Sequence, residues 1–285
     1  MQLSIIIINY NTFQLTCNCI ASIKEKVLEV DYEIILVDNA SGECDPNSFK
    51  EKFPDIILII NSINTGFTGG NNIGISHAKG NYILLLNSDT ELINNAAKIC
   101  LDYLKNHPKA GMVTAQLQYP NGKLQYNCRR FRTISWELLE IFPLYKLMAK
   151  SKRERLMLHH YFDHKTIVKC DWVWGTFMLF PKKIIRALQG HKLSDDFFMY
   201  CEDVLWCWDF KNLGYEIYFL PEAKVMHIHK GSTSKEKLEK TRLSGIKNHA
   251  KFMKKFYPDR RWNIFAAIYY TKQYAALFLG KIFKR

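Results

Sequence analysis

The residues with chemistry to offer are few and bunched. Asn9-Tyr10-Asn11, Asp38-Asn39, Asn61 to Asn64 and Asn87-Ser88-Asp89 each close a short apolar run. A carboxylate and a neutral oxygen two residues apart, as in Asp89 and Asn87, can hold a hard divalent cation such as magnesium or manganese. The same stretch, Ser88-Asp89-Thr90-Glu91, also has the form of a cap for a helix beginning near Glu91. Glu202-Asp203 is an acidic pair set among Phe197, Phe198, Tyr200, Trp206 and Trp208. Apolar neighbours desolvate a carboxylate and raise its pKa toward the range of a general base. Asp195, Asp196, Glu202 and Asp203 would equally suit the positive end of a helix. His227 and His229 close the apolar run Ile217 to Met226; two residues apart on a strand they point to opposite faces, so at most one joins a given site. Finally, Asn64 to Gly74 (NTGFTGGNNIG) is a Gly/Asn-rich loop entering a helix over Asn71 to Lys79. Glycines let backbone approach a ligand, and a helix N-terminus favours anions. It is neither a Walker loop nor an early GxGxxG turn, which disfavours a nicotinamide dehydrogenase.

These clusters need a scaffold that brings strand ends together. Ser4 to Asn9, Glu33 to Asp38, Ile56 to Asn61 and Tyr82 to Asn87 are short, near-continuous apolar runs, as expected of strands buried on both faces. Phe13 to Val30, Pro46 to Phe53 and Asn71 to Lys79 between them have helix-compatible spacing. Alternation of this kind predicts a doubly wound α/β layer with a parallel sheet, in which ligands bind outside the carboxyl ends of the strands.

The 285 residues are 48% hydrophobic and 24% charged, which excludes a disordered or fibrous chain. Leu3 to Ile8 lacks the basic flank of a signal peptide, and eight irregularly spaced cysteines read as reduced cytosolic thiols. The net charge of +13 is unevenly spread: −3 over residues 1–127, +4 over 128–229 and +12 over 230–285. A nucleic-acid binder, a membrane-surface protein and a binder of phosphorylated substrates are all compatible with that excess.

Taken in order, SIIIINYN, EIILVDNAS, NTGFTGGNNIGI, GNYILLLNSDTEL, WGTFMLFPKKII, FFMYCEDV and VMHIHKGST resemble the family 2 glycosyltransferases, especially the bacterial rhamnosyltransferase-like branch that builds surface polysaccharides. The likeness runs from Ser4 to about Thr233. It implies a GT-A fold and inverting transfer from a dTDP-, UDP- or GDP-linked sugar with Mn2+ or Mg2+. By the same resemblance Asp38 reads the nucleotide, and Tyr10, Asn11, Asn64, Gly66, Asn71, Asn72 and Asn87 line the donor side. Asp89 and His227 become metal ligands, His227 matching HxxxGS with Gly231 and Ser232. Trp174, Gly175 and Glu202 fall on the acceptor side, and Asp203 becomes the base. The chain departs from the pattern at Leu205, where relatives often carry a second acid, and at Leu193-Ser194-Asp195 in place of Phe-Asp-Glu.

The expected organisation is a catalytic domain over residues 1–233, its nucleotide-sugar half ending near 116 and its acceptor half covering 117–233. A basic amphipathic helical tail follows over 234–285. Lys272-Gln273 in the middle of the tail's apolar stretch, Trp262 to Phe283, argues against spanning a bilayer. Aromatic residues beside Lys and Arg suit a helix lying on an anionic leaflet. The expectation is therefore an enzyme on the inner face of the cell membrane, acting on a lipid-linked or glycan acceptor. A non-catalytic membrane- or nucleic-acid-binding protein is the alternative. No nucleic-acid signature is evident, and the tail is unusually apolar for that role.

Overall fold

The computed structural model describes residues 1–228 and 235–282. In chain order the strands are β1 (Leu3–Asn9), β2 (Tyr32–Asp38), β3 (Ile57–Ile60), β4 (Tyr82–Asn87), β5 (Thr90–Leu92), β6 (Ala110–Gln118), β7 (Leu124–Gln125), β8 (Cys128–Arg129), β9 (Val168–Cys170), β10 (Trp172–Val173), β11 (Phe177–Pro181) and β12 (Glu216–His227). The helices are α1 (Phe13–Lys26), α2 (Ser48–Lys52), α3 (Gly66–His77), α4 (Ala96–Asn106), α5 (Ile134–Ile141), α6 (Lys150–Met157), α7 (Glu202–Asn212), α8 (Lys235–Phe256) and α9 (Arg261–Ile282). They group into two compact units, one of Met1–Arg129 with Asp163–Thr233 and one of Arg130–Phe162 with Ser234–Arg285. Residues 130–162, expected to belong with the acceptor half, thus group with the C-terminal helices.

In the first unit a ten-stranded sheet runs β3-β2-β1-β4-β11-β6-β12-β5, with β7 beside β6 and β9 beside β12. The expected parallel block is present as β3-β2-β1-β4. Its middle strands are buried along nearly their whole length, which is why they read as unbroken apolar runs. Register sets their carboxyl ends level: Asn9 pairs with Asp38, and Ile8 with Asn87. β11 then enters antiparallel to β4, and β12 pairs parallel to β6, so the sheet is mixed beyond β4.

Two local expectations are corrected. Thr90 to Leu92 is a strand, held by Val225, Met226 and His227 of β12, so Ser88-Asp89 caps no helix. The next helix starts at Ala96, where the Asn95 side chain accepts from the Lys98 amide. The glycine-rich segment is also less of a loop than expected, because α3 begins at Gly66. Its glycines serve packing: a Cβ on Gly70 would come 3.1 Å from Ile8 and one on Gly74 2.4 Å from Ile6. Gly66 itself enters the helix at φ +74°, where a side chain would also strike the Phe198 carbonyl. Gly74→Ala should therefore destabilise the fold by about 1–3 kcal/mol through overpacking against β1, outweighing the roughly 1 kcal/mol helix preference for alanine. A lower denaturation midpoint checks this; an unchanged or higher one would mean that β1 yields freely.

The second unit is helical. Phe131 packs on Phe252 and Phe256 at 5.7 and 5.6 Å, and His249 stacks on Tyr269 at 5.3 Å. Lys272 of α9 donates to Glu137 at 2.9 Å and to Glu140, both on α5, and Arg132 pairs with the same two acids. Phe265 and Tyr269, within the Trp262 to Phe283 stretch expected to lie on a leaflet, are buried in this core. No helix among the described residues is long and apolar enough to cross a membrane.

Candidate functional site

The carboxyl ends of β1, β2 and β4 carry a connected polar cluster. Asp38 is buried; its Oδ1 accepts from Asn9 at 3.1 Å and its Oδ2 from the Ser41 amide at 3.1 Å. Asn9 Oδ1 accepts in turn from Thr12 and Thr16, and the Thr12 hydroxyl meets that of Ser88 at 3.0 Å. The β1 and β4 ends are thereby tied together. Asn11, at φ +54°, accepts from the Gly42 amide, and Tyr10 beside it is exposed. Asn39, noted from sequence as part of the Asp38-Asn39 strand end but given no role there, is the hub of this edge. Its Nδ2 donates to Asn64 Oδ1 and to the Gly66 carbonyl, and its Oδ1 accepts from Asn61, the Thr65 amide and the Thr65 hydroxyl.

Asn64 also accepts from the Gly66 amide, so it shapes the entry to α3. Asn71 and Asn72 sit inside that helix. Asn71 donates to the Phe67 carbonyl, while Asn72 grips Leu193 with both halves of its amide, each bond 2.9 Å. Their hydrogen bonds secure neighbouring chain, and those of Asn72 hold the segment leading to α7. The Phe67 amide and the Thr68 hydroxyl add bonds to the carbonyls of Phe198 and Phe197.

Asp89 and His227 meet across β5 and β12, with Asp89 Oδ1 3.3 Å from His227 Nε2. Gln125 determines the proton on that ring. Its Nε2 donates to the His227 carbonyl at 2.7 Å, which turns its Oε1 toward His227 Nδ1, also 2.7 Å away. Nδ1 must then carry a hydrogen, and Nε2 is the ring nitrogen turned toward the carboxylate. Asn87 Oδ1, just before Asp89, is buried without a hydrogen-bond partner. Oxygen, imidazole and an orphaned amide oxygen together fit a divalent cation. Among the described residues no group of three or more His, Cys, Asp or Glu side chains gathers into a metal site. His229, and Gly231 and Ser232 of the HxxxGS match, lie outside the described residues.

Glu202 and Asp203 open α7, so the first turn of a helix does hold them. Tyr200 and Cys201 immediately before have φ of +68° and +79°, a costly left-handed pair for non-glycine residues. The Asp203 carboxylate accepts from the Val204 amide at 2.8 Å and the Gly175 amide at 3.3 Å. Burial nevertheless pushes its pKa up to about 6, although these amides and the Arg129 charge pull the other way. Glu202 is raised too, by burial first and by the Asp203 charge second, and its Oε2 has no hydrogen-bond partner. A merely solvated helix-end acid would show none of this. Trp174 lies beside Gly175, with the Arg129 guanidinium 5.2 Å from its ring. Arg129 was missed as a site residue; the only sequence trace was its place in the basic run Arg129-Arg130-Phe131-Arg132. Gln125 had no signal, since its partner is 102 residues away.

A family model described as glycosyl transferase family 2 matches residues 4–187. Among curated proteins, the poly(ribitol-phosphate) beta-glucosyltransferase of Bacillus spizizenii is 30% identical over 128 residues, which is 43% of this chain and 20% of that protein. Rhamnosyltransferase WbbL of Escherichia coli is 26% identical over 170 residues, 57% of this chain and 60% of the relative. The chain thus spans between a fifth and three fifths of these two relatives. Among solved structures, a mannosyltransferase from Pyrobaculum calidifontis in complex with GDP-Man and Mn2+ superposes with a TM-score of 0.60 at 16% identity. That superposition covers 96% of this chain and 69% of the other, and the fold is GT-A.

Proposed function

Starting from a chain that belongs to glycosyl transferase family 2, we propose that it transfers a sugar, with inversion, from a nucleoside-diphosphate donor to a glycan or polyprenyl-diphosphate-linked acceptor in bacterial surface polysaccharide synthesis. The observation that carries this reading is the Asp89 carboxylate, just past the end of β4, 3.3 Å from the His227 ring that Gln125 orients. Asp38, with Tyr10 and Asn11 beside it, binds the nucleoside, and Asn64 and Gly66 shape the donor edge. Asn87, Asp89 and His227 would hold the cation. When bound, a divalent ion supplies charge that stabilises the departing diphosphate. The named relatives support this assignment: one is called a rhamnosyltransferase, and the superposed mannosyltransferase was solved with GDP-Man and Mn2+.

Asp203 takes the proton from an acceptor hydroxyl as that oxygen attacks the anomeric carbon opposite the leaving group. The Gly175 and Val204 amides aim the carboxylate, and burial keeps it basic enough for the task. Trp174, Gly175 and Glu202 form the acceptor side. Transfer takes place at the cytoplasmic face of the membrane, where the +12 of residues 230–285 favours an anionic leaflet. A thermal-shift panel of dTDP-, UDP- and GDP-sugars with and without manganese tests the proposal. One nucleotide series should raise Tm only with the metal; no shift in any series would overturn it.

Gln125 gives a separate check. Gln125→Leu removes both bonds that orient His227, so metal affinity should fall roughly 10–100-fold. Titrating manganese against nucleotide binding measures this. Unchanged affinity would mean that His227 does not ligate.

A further inference from the structure

The helical unit exposes side chains that a folded surface normally hides. Leu147 is 85% exposed, Phe142 58% and Phe278 67%, with Ile141, Leu144 and Tyr274 also exposed. Pro143 ends α5, and the turn Leu144–Leu147 follows. Tyr145 of that turn packs inward on Tyr161 at 5.0 Å, leaving Leu144 and Leu147 on the outer side. α5 and α9 run in the same sense. The Ile134 amide donates to the Tyr257 hydroxyl, whose ring lies 5.8 Å from Phe265, and further along both helices Lys272 reaches Glu137 and Glu140. Tyr274 and Phe278 therefore fall toward the end where Ile141 and Phe142 emerge.

The charge around these tips is one-sided. Residues 141–156 contain Lys146, Lys150, Lys152, Arg153 and Arg155 against Glu154 alone. Apolar tips flanked by cations match the boundary between headgroups and acyl chains of an anionic leaflet. A second copy of this chain would bring the same positive charges face to face, which disfavours self-association here.

We propose that residues 141–156, with the end of α9, dock on an anionic bilayer and insert Phe142, Leu144 and Leu147 below the headgroups. This deepens the membrane part of the proposed function, on which it rests, by moving the lipid contact from the tail's buried aromatics to this corner. Co-sedimentation of the full chain with phosphatidylcholine vesicles, with and without phosphatidylglycerol, tests it. The wild type should bind the phosphatidylglycerol vesicles. Phe142→Glu/Leu147→Glu should weaken that binding about a hundredfold or more, and Lys150→Glu/Lys152→Glu should erase the preference for phosphatidylglycerol. All four side chains are exposed, so Tm and metal-dependent nucleotide binding should remain those of the wild type. Absence of vesicle binding by the wild type, wild-type binding by either variant, or lipid-free dimers that the apolar variant abolishes would overturn the proposal. Vesicle binding without nucleotide binding would instead leave the docking surface standing and count against the transferase reading.

Discussion

Asp203→Asn should lower glycosyl transfer by roughly 10²–10⁴-fold while leaving donor binding close to that of the wild type. The amide replaces a carboxylate of the same shape whose job is to accept a proton, and asparagine cannot do so at neutral pH. Its surroundings tolerate the exchange, because the Val204 and Gly175 amides can donate to the remaining carbonyl oxygen. None of the strand-end contacts at Asp38, Asn39 or Asp89 involves Asp203, so nucleotide binding has no reason to fail. The pH profile carries an independent signature. The base works only when ionised, and burial raises this carboxyl from 3.8 to about 6, so kcat/KM should climb with pH through about 6 and level off above it. Arg129→Leu removes a positive charge that favours the ionised form, and should move the limb upward. A limb near pH 4 in the wild type, or sustained turnover by the asparagine variant, would remove Asp203 as the base.

The second large effect is expected at the proposed metal ligands. Asp89→Ala should remove most manganese-dependent donor affinity, by more than the roughly 10–100-fold that losing an outer-shell partner costs. In this position the carboxylate faces an imidazole oriented by Gln125, so its loss would delete one of the two side chains proposed to hold the ion. Stability should respond little, because Asp89 is only partly buried and makes its backbone bond to Ile228 through its carbonyl. Calorimetric titration with the nucleoside diphosphate, manganese present or chelated, separates the two contributions. An Asp89→Ala protein that keeps its full manganese-dependent increment would show that the ion sits elsewhere.

How much of this could be read in advance depended on the distance over which each feature is determined. The strands β1, β2 and β4 were legible because burial on both faces leaves a continuous apolar run, and β4 was read to the residue. The polar residues at their ends were legible for the same reason, since a run of that kind stops abruptly. α3 was placed five residues late because its glycines read as a loop, whereas Gly70 and Gly74 are demanded by Ile8 and Ile6 of another strand. Thr90 to Leu92 was open to reading as a helix start, since the partner that makes it a strand lies more than 130 residues away in β12. Arg129 shares that fate, and so does the role of Asn39, though not its place at a strand end, because their partners lie on other elements. The grouping of residues 130–162 with the C-terminal helices was hidden too, because it rests on pairs such as Lys272 with Glu137.

The most direct test is to titrate the full chain with the nucleoside diphosphate picked out by the thermal-shift panel, in manganese and again after chelation. A cation held between Asp89 and His227 predicts saturable binding in manganese that chelation largely removes and added manganese restores. Binding of equal strength in both conditions, or none in either, would contradict a metal-held donor site.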